Sequence, residues 1–280
     1  MASSSTSSPS RRRLVGVSTK MYFDLSKTVA YTSQALELLH TLLPKLNHET
    51  DVFLIPDFLT ILSCKESIEA FNRSASPPVP LWLGAQDTHH EDSGAFTGEV
   101  SPLQLSQAGV KLVEIGHAER RKYFGETDAS VVQKAKAVLR NGMIPLICVG
   151  ERSKEGGTDN AVEECWEQVK GVFEDASVLK DSAEPQRNME LVLAYEPVWA
   201  IGAAQPASAD YVVAVTKKFR AKCEAVSGYK GKIRILYGGS AGPGLYEKLQ
   251  DGVDGLFLGR FAHDPERFAK TIEEVGGGCK

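Results

Sequence analysis

The sequence predicts an α/β fold made of a single closed (β/α)8 barrel, and three observations predict it. Eight short apolar runs rich in Val, Ile and Leu recur along the 280 residues, segments with apolar residues at helical spacing separate them, and no linker-length break divides the series. The runs are Leu14 to Ser18, Val52 to Ile55, Leu81 to Gln86, Leu112 to Gly116, Pro145 to Val149, Leu191 to Glu196, Ile233 to Tyr237 and Leu256 to Gly259. Nearly continuous apolar strands with crossovers of about ten residues or more belong to a parallel sheet, and eight such units suit a barrel of roughly 250 residues. An open doubly wound sheet is the structural rival.

Helical periodicity marks Ser26 to Leu46, Ala129 to Arg140, Ala161 to Phe173, Ala209 to Val226 and Asp264 to Val275. The breaks at Ser74 to Pro80 and Ser153 to Asn160 are loops, so residues 14–275 read as one domain. Residues 1–13 hold six serines and no acid, and are expected to be a disordered tail because they have almost nothing to bury. A transit peptide is the alternative, but Met1 to Ser10 offers no amphipathic helix. Residues 276–280 are expected to form a flexible end.

Hydrophobic content of 42% and charged content of 24% describe an ordinary globular chain, without an apolar run approaching the ~18 residues of a membrane span. The net charge of -4 leaves no basic footprint for nucleic acid. Five cysteines, Cys64, Cys148, Cys165, Cys223 and Cys279, lack CxxC spacing and predict free thiols and a cytoplasmic setting.

In such a barrel, chemistry gathers where strands end. Lys20 follows the first run, His117 the fourth, Glu196 the sixth, Gly238-Gly239-Ser240 the seventh and Gly259 the eighth. A cation, an imidazole and a carboxylate facing turns that expose backbone N–H groups suit proton transfer on a small anion. Each has a plain alternative: Lys20 as a solvated charge, His117 as a helix cap. Glu196 stands apart because apolar residues precede it and Pro197 to Gly202 follow. Burial raises a carboxyl pKa and a cation such as Lys20 lowers it, and sequence does not say which dominates.

These residues carry a resemblance. Gly116-His117-Ala118-Glu119-Arg120-Arg121 with Phe124-Gly125-Glu126, and Ala194 to Gly202, resemble two signature segments of the triosephosphate isomerase family. Tyr237-Gly238-Gly239-Ser240 resembles its phosphate-binding turn, and Gly94 to Glu99 its dimer-locking loop. The resemblance spans about Leu14 to Val275 and implies a TIM barrel. It further implies Glu196 as the base, a neutral His117 as proton donor and shuttle, Lys20 as the group steadying the enediolate, and Glu119 as a buried acid holding Lys20. By the same resemblance Pro197 to Gln205 form a lid, Gly202, Ser240 and Gly259 give N–H groups to phosphate, and the chain is a homodimer.

The departures are Ser18-Thr19-Lys20 where the family has Asn-Trp-Lys, Ala203-Ala204-Gln205 where it has Thr-Gly-Lys, and Arg260 where it has a second glycine. Ser18 keeps a hydrogen-bonding oxygen but leaves more room near the substrate. Arg260 offers a fork to phosphate or to an extra hydroxyl, with a salt bridge to Asp264 or Glu266 as the alternative. Ser18 and Arg260 resemble a paralogous branch acting on four-carbon keto-sugar phosphates, the erythrulose phosphate isomerases.

Three functions follow. The first is the glycolytic-type interconversion of dihydroxyacetone phosphate and glyceraldehyde 3-phosphate; the second is isomerisation of a tetrulose phosphate; the third is a non-catalytic binding barrel. His89-His90 with Glu91 and Asp92 read as a solvated turn rather than a metal site, and with no dinucleotide or nucleotide fingerprint no cofactor is expected.

Overall fold

A computed structural model describes residues 12–46, 50–174, 189–201, 207–226, 229 and 231–277. Most of the N-terminal tail, Gly202, the hinge residues Ala203 to Gln205, Cys279 and the last three residues lie outside the described residues. Eight parallel strands close in chain order: β1 (Arg13–Ser18), β2 (Thr50–Ile55), β3 (Leu81–Ala85), β4 (Leu112–Ile115), β5 (Ile144–Val149), β6 (Glu190–Tyr195), β7 (Lys232–Tyr237) and β8 (Gly255–Leu258). Leu14 pairs with Asp51 on one side and Gly255 on the other, and this second pairing shuts the barrel. The open-sheet rival is thereby excluded.

Each anticipated run lies on its strand with ends shifted by one or two residues. Nine α-helices appear among the described residues: α1 (Leu25–Leu42), α2 (Ile61–Ser74), α3 (Pro102–Gln107), α4 (Ala118–Phe124), α5 (Asp128–Arg140), α6 (Gly157–Glu174), α7 (Ala209–Glu224), α8 (Tyr246–Leu249) and α9 (Pro265–Gly276). The first helix stops at Leu42 rather than Leu46 because Pro44 has no N–H to give the carbonyl four residues back; a 3-10 turn follows. Helix α9 runs to Gly276, one residue into the segment read as a tail, and Arg12 reaches back to Asp51 at 2.5 Å. Helix α2 was not singled out from sequence, although Ile61, Cys64, Ile68 and Phe71 form its core-facing stripe.

Side-chain alternation along the strands builds two cores. One apolar cluster, including Leu14, Phe53, Leu112, Leu146, Val192 and Phe257, contains strand residues and no helix residue, so it fills the barrel lumen. The other joins the outer strand faces to α1, α5, α6, α7 and α9. Several helices start on side-chain caps: Asp24 accepts from Lys27 N–H, Thr127 and Ser130 form a reciprocal box, and Asp264 caps α9. Such a cap contributes about 1 kcal/mol each.

Candidate active site

The site begins where β1 ends. Lys20 adopts a left-handed backbone, φ 49, the one non-glycine residue so placed among the described residues. That strain is held from outside, since Gln86 Nε2 donates to the Lys20 carbonyl at 2.8 Å and the preceding Thr19 N–H donates to Ile55 at 2.9 Å. Its ammonium Nζ meets Glu119 Oε1 at 2.8 Å. Burial works to lower the Lys20 pKa, but the hydrogen bond and charge of Glu119, with Glu114 and Glu196 beyond, outweigh it and raise it. Lys20 is a firm cation.

After β4 the chain turns at Gly116, φ 72, a conformation a side chain resists. The turn is tied by Gly116 N–H to Glu126 Oε2 at 3.0 Å and by Arg121 Nε to the Gly116 carbonyl at 2.8 Å. It delivers His117 to the N-cap of α4, where Nδ1 accepts the Glu119 backbone N–H at 3.1 Å. An accepting Nδ1 carries no proton, so the neutral ring holds its proton on Nε2. Burial, then the nearby Lys20 charge, pull the His117 pKa down to about 4.

Glu196 follows β6, its backbone N–H fixed to the Val149 carbonyl at 2.9 Å. The approach is close enough that a Cβ at Gly150 would stand 1.8 Å from the Glu196 carbonyl oxygen. Burial raises the Glu196 pKa to about 7, Lys20 opposing and Glu119 adding to it. The sequence left desolvation and the cation in balance; in the structure desolvation wins.

These groups share one cleft of about 540 Å³, which also takes in Ser18, Gly238, Gly239, Ser240, Gly259 and Arg260. A Cβ at Gly259 would meet nothing within 4 Å, so the rim there opens onto free space. The salt bridge considered for Arg260 does not form: Asp264 instead accepts the N–H groups of Glu266 and Arg267 at the start of α9. Arg260 is exposed and lies 5.9 Å from the Tyr22 ring centroid, a hold of roughly 0.5–1 kcal/mol.

The family model described as Triosephosphate isomerase matches residues 13–275. The chain belongs to this family. As an isomerase of the triosephosphate isomerase family it has three relatives worth naming, all L-erythrulose-1-phosphate isomerases. That of Pectobacterium atrosepticum is 43% identical over 270 residues, covering 95% of this chain and 96% of the relative. That of Rhizobium meliloti is 39% identical over 226 residues, 80% and 82% of the two chains. That of Brucella abortus is 37% identical over 261 residues, 92% and 94%.

Against this triosephosphate isomerase framework one expectation needs correction. Glu119 does hold Lys20, but its side chain is 51% exposed rather than buried, because it stands on the first turn of α4 at the rim. The acid that is buried is Glu114, 3% exposed, which faces the lumen from β4 and lines the cleft. Burial raises its pKa to about 8, against the pull of Lys20 and Ser18. Ser18 Oγ is itself buried and makes no hydrogen bond of full geometry, but it interacts with the Glu114 carboxyl as a hydrogen-bonding neighbour that lowers that pKa.

Two further residues escaped the sequence reading. Gln86 supports Lys20, as described. Glu151, fully buried after β5, accepts Trp199 Nε1 at 2.7 Å, Tyr211 OH at 2.9 Å and Tyr195 OH at 3.0 Å, while its carbonyl takes the Val198 N–H at 2.9 Å. It anchors the segment that leaves Glu196. Glu114 had a readable signal, an acid at an inward position of an apolar strand; Glu151 and Gln86 sit beside loops and had none.

Proposed function

We propose that this chain isomerises erythrulose 1-phosphate by enediolate proton transfer. Glu196, ionised in about half the molecules near neutral pH, removes the proton from C3, the hydroxyl-bearing carbon beside the C2 carbonyl. His117 donates its Nε2 proton to the carbonyl oxygen and takes one back from the neighbouring hydroxyl, and Lys20 offsets the negative charge between these steps. Returning the proton to C2 moves the carbonyl to C3. The product is again an erythrulose phosphate, now with phosphate on the carbon numbered 4, so atoms and charge balance without a redox partner.

In this reading Ser240 and Gly259 give N–H groups to the phosphate, and Arg260 adds a cation. The names of the relatives are the single observation that favours the four-carbon substrate over the triose put first from sequence, and Ser18 and Arg260 agree with it. No metal or cofactor takes part in this reading. We also read the chain as a cytoplasmic homodimer: four cysteines are free and buried, and Met21 at 95% exposure and Phe96 at 42% are large apolar side chains that a partner subunit would cover. The deciding experiment compares kcat/KM for erythrulose 1-phosphate and glyceraldehyde 3-phosphate under identical conditions. A clear preference for the tetrulose is expected, and a preference for the triose overturns the reading.

A further inference from the structure

We propose that the Glu114 carboxyl and the Ser18 hydroxyl form a hydrogen-bonding subsite on the cleft floor that receives the terminal hydroxymethyl group of a four-carbon keto-sugar phosphate. The proposal rests on the tetrulose reading above and names the residues that carry its specificity.

Position is the first argument. Leu112 and Glu114 are two apart on β4, and Leu112 belongs to the lumen cluster, so both point inward. Ser18, likewise inward, ends β1 and is 2% exposed. Their neighbours on the cleft wall include Cys148, Ala194 and Phe257, which offer little hydrogen bonding. The floor is therefore apolar except for these two side chains, and neither the proton-transfer groups nor the phosphate turns use them.

The second argument is satisfaction. Ser18 Oγ is buried and makes no hydrogen bond of full geometry; its interaction with the Glu114 carboxyl is the contact it has, which leaves the pair with bonding capacity that a substrate hydroxyl can take up. Glu114 is likewise dry, and burial keeps its proton on at neutral pH despite Lys20; Glu119 and Glu196 act the same way. A neutral carboxyl both donates and accepts, as a substrate hydroxyl does, and sets no second charge against the enediolate.

The third argument is the substrate's shape. Erythrulose 1-phosphate exceeds dihydroxyacetone phosphate by one hydroxymethyl group, and that group sits on the carbon that gives up its proton. With phosphate anchored at the rim by Ser240 and Gly259, this carbon lies at the far end of the molecule, and its substituent projects inward. A triose would leave Glu114 and Ser18 unmatched.

The test measures kcat/KM of the full chain for erythrulose 1-phosphate and for its 4-deoxy analogue, with glyceraldehyde 3-phosphate as a third substrate. Wild type is compared with Glu114→Val, Glu114→Gln and Ser18→Ala. Wild type is expected to favour the hydroxylated tetrulose over the deoxy compound by at least about tenfold, the worth of one hydrogen bond at a built site. Glu114→Val should erase that preference, Ser18→Ala should weaken it, and Glu114→Gln should retain most of it. If Glu114→Val does not fold, Ser18→Ala and Glu114→Gln decide between the outcomes. Equal losses on all substrates would make Glu114 a structural acid and overturn the subsite, as would a wild type indifferent to the deoxy change. A wild type active only on the triose overturns the tetrulose reading itself, and the subsite with it.

Discussion

The Glu119 backbone N–H donates to His117 Nδ1 at 3.1 Å, and that one bond decides which nitrogen faces the cleft as a donor. A protonated ring would have to break it. Together with burial and the Lys20 charge, the bond keeps His117 neutral and its Nε2–H available, while the Glu119 carboxylate on the same turn grips Lys20. One helical turn therefore holds both His117 and Lys20.

Glu196→Gln removes the proposed base and little volume. Turnover should fall by on the order of 10²- to 10⁴-fold while inorganic phosphate still binds. Steady-state kinetics and calorimetric titration with phosphate check this, and retained turnover would sink the proposed mechanism.

The pH profile of kcat/KM should show an acid limb near 7 from Glu196, with no limb from His117 above about 4. Above about 8 Glu114 loses its proton and adds charge beside the enediolate, so activity should decline there in wild type and not in Glu114→Gln. An alkaline limb that survives in Glu114→Gln assigns it to another group.

The same shift has a sign for stability. The folded protein binds the Glu114 proton up to about 8, whereas the ordinary value is 4.5, so this contribution is complete below 4.5 and is lost as pH rises through about 8. The Tm of Glu114→Gln relative to wild type should therefore climb between about pH 4.5 and about 8 and level off above, the span over which wild type loses the contribution. Thermal melts at several pH values measure it; a flat difference contradicts the buried neutral acid.

Glu151→Gln places an amide donor where Trp199, Tyr195 and Tyr211 already donate. Stability should drop by about 1–3 kcal/mol, and kcat/KM by about tenfold, because the segment beyond Glu196 loses its anchor. Denaturation together with kinetics separates this from a change in chemistry, and unchanged kinetics would remove Glu151 from lid support.

Dilution tests the proposed dimer. With Met21 and Phe96 uncovered, a separated subunit should lose order at Lys20 and most of its activity. Sedimentation equilibrium run beside activity assays decides, since a fully active monomer would leave the partner no role in the site.

By itself the sequence determined the eight strands and pointed to Lys20, His117 and Glu196 as strand-end candidates, because apolar runs and strand-end polar residues are local features, and it left the barrel with an open-sheet rival. It placed Ser18 and Arg260 as departures without saying what they touch. Tertiary structure decided the rest. Only when β1 pairs with β8 does a lumen exist, and only then do Ser18 and Glu114, far apart in the chain, share a dry floor. Burial, not residue type, raises the Glu196 carboxyl to about 7 and the Glu114 carboxyl to about 8, and burial is a property of closure. Gln86 on Lys20 and Glu151 under Trp199 follow the same rule: their partners come from distant segments of the chain, which no local pattern encodes.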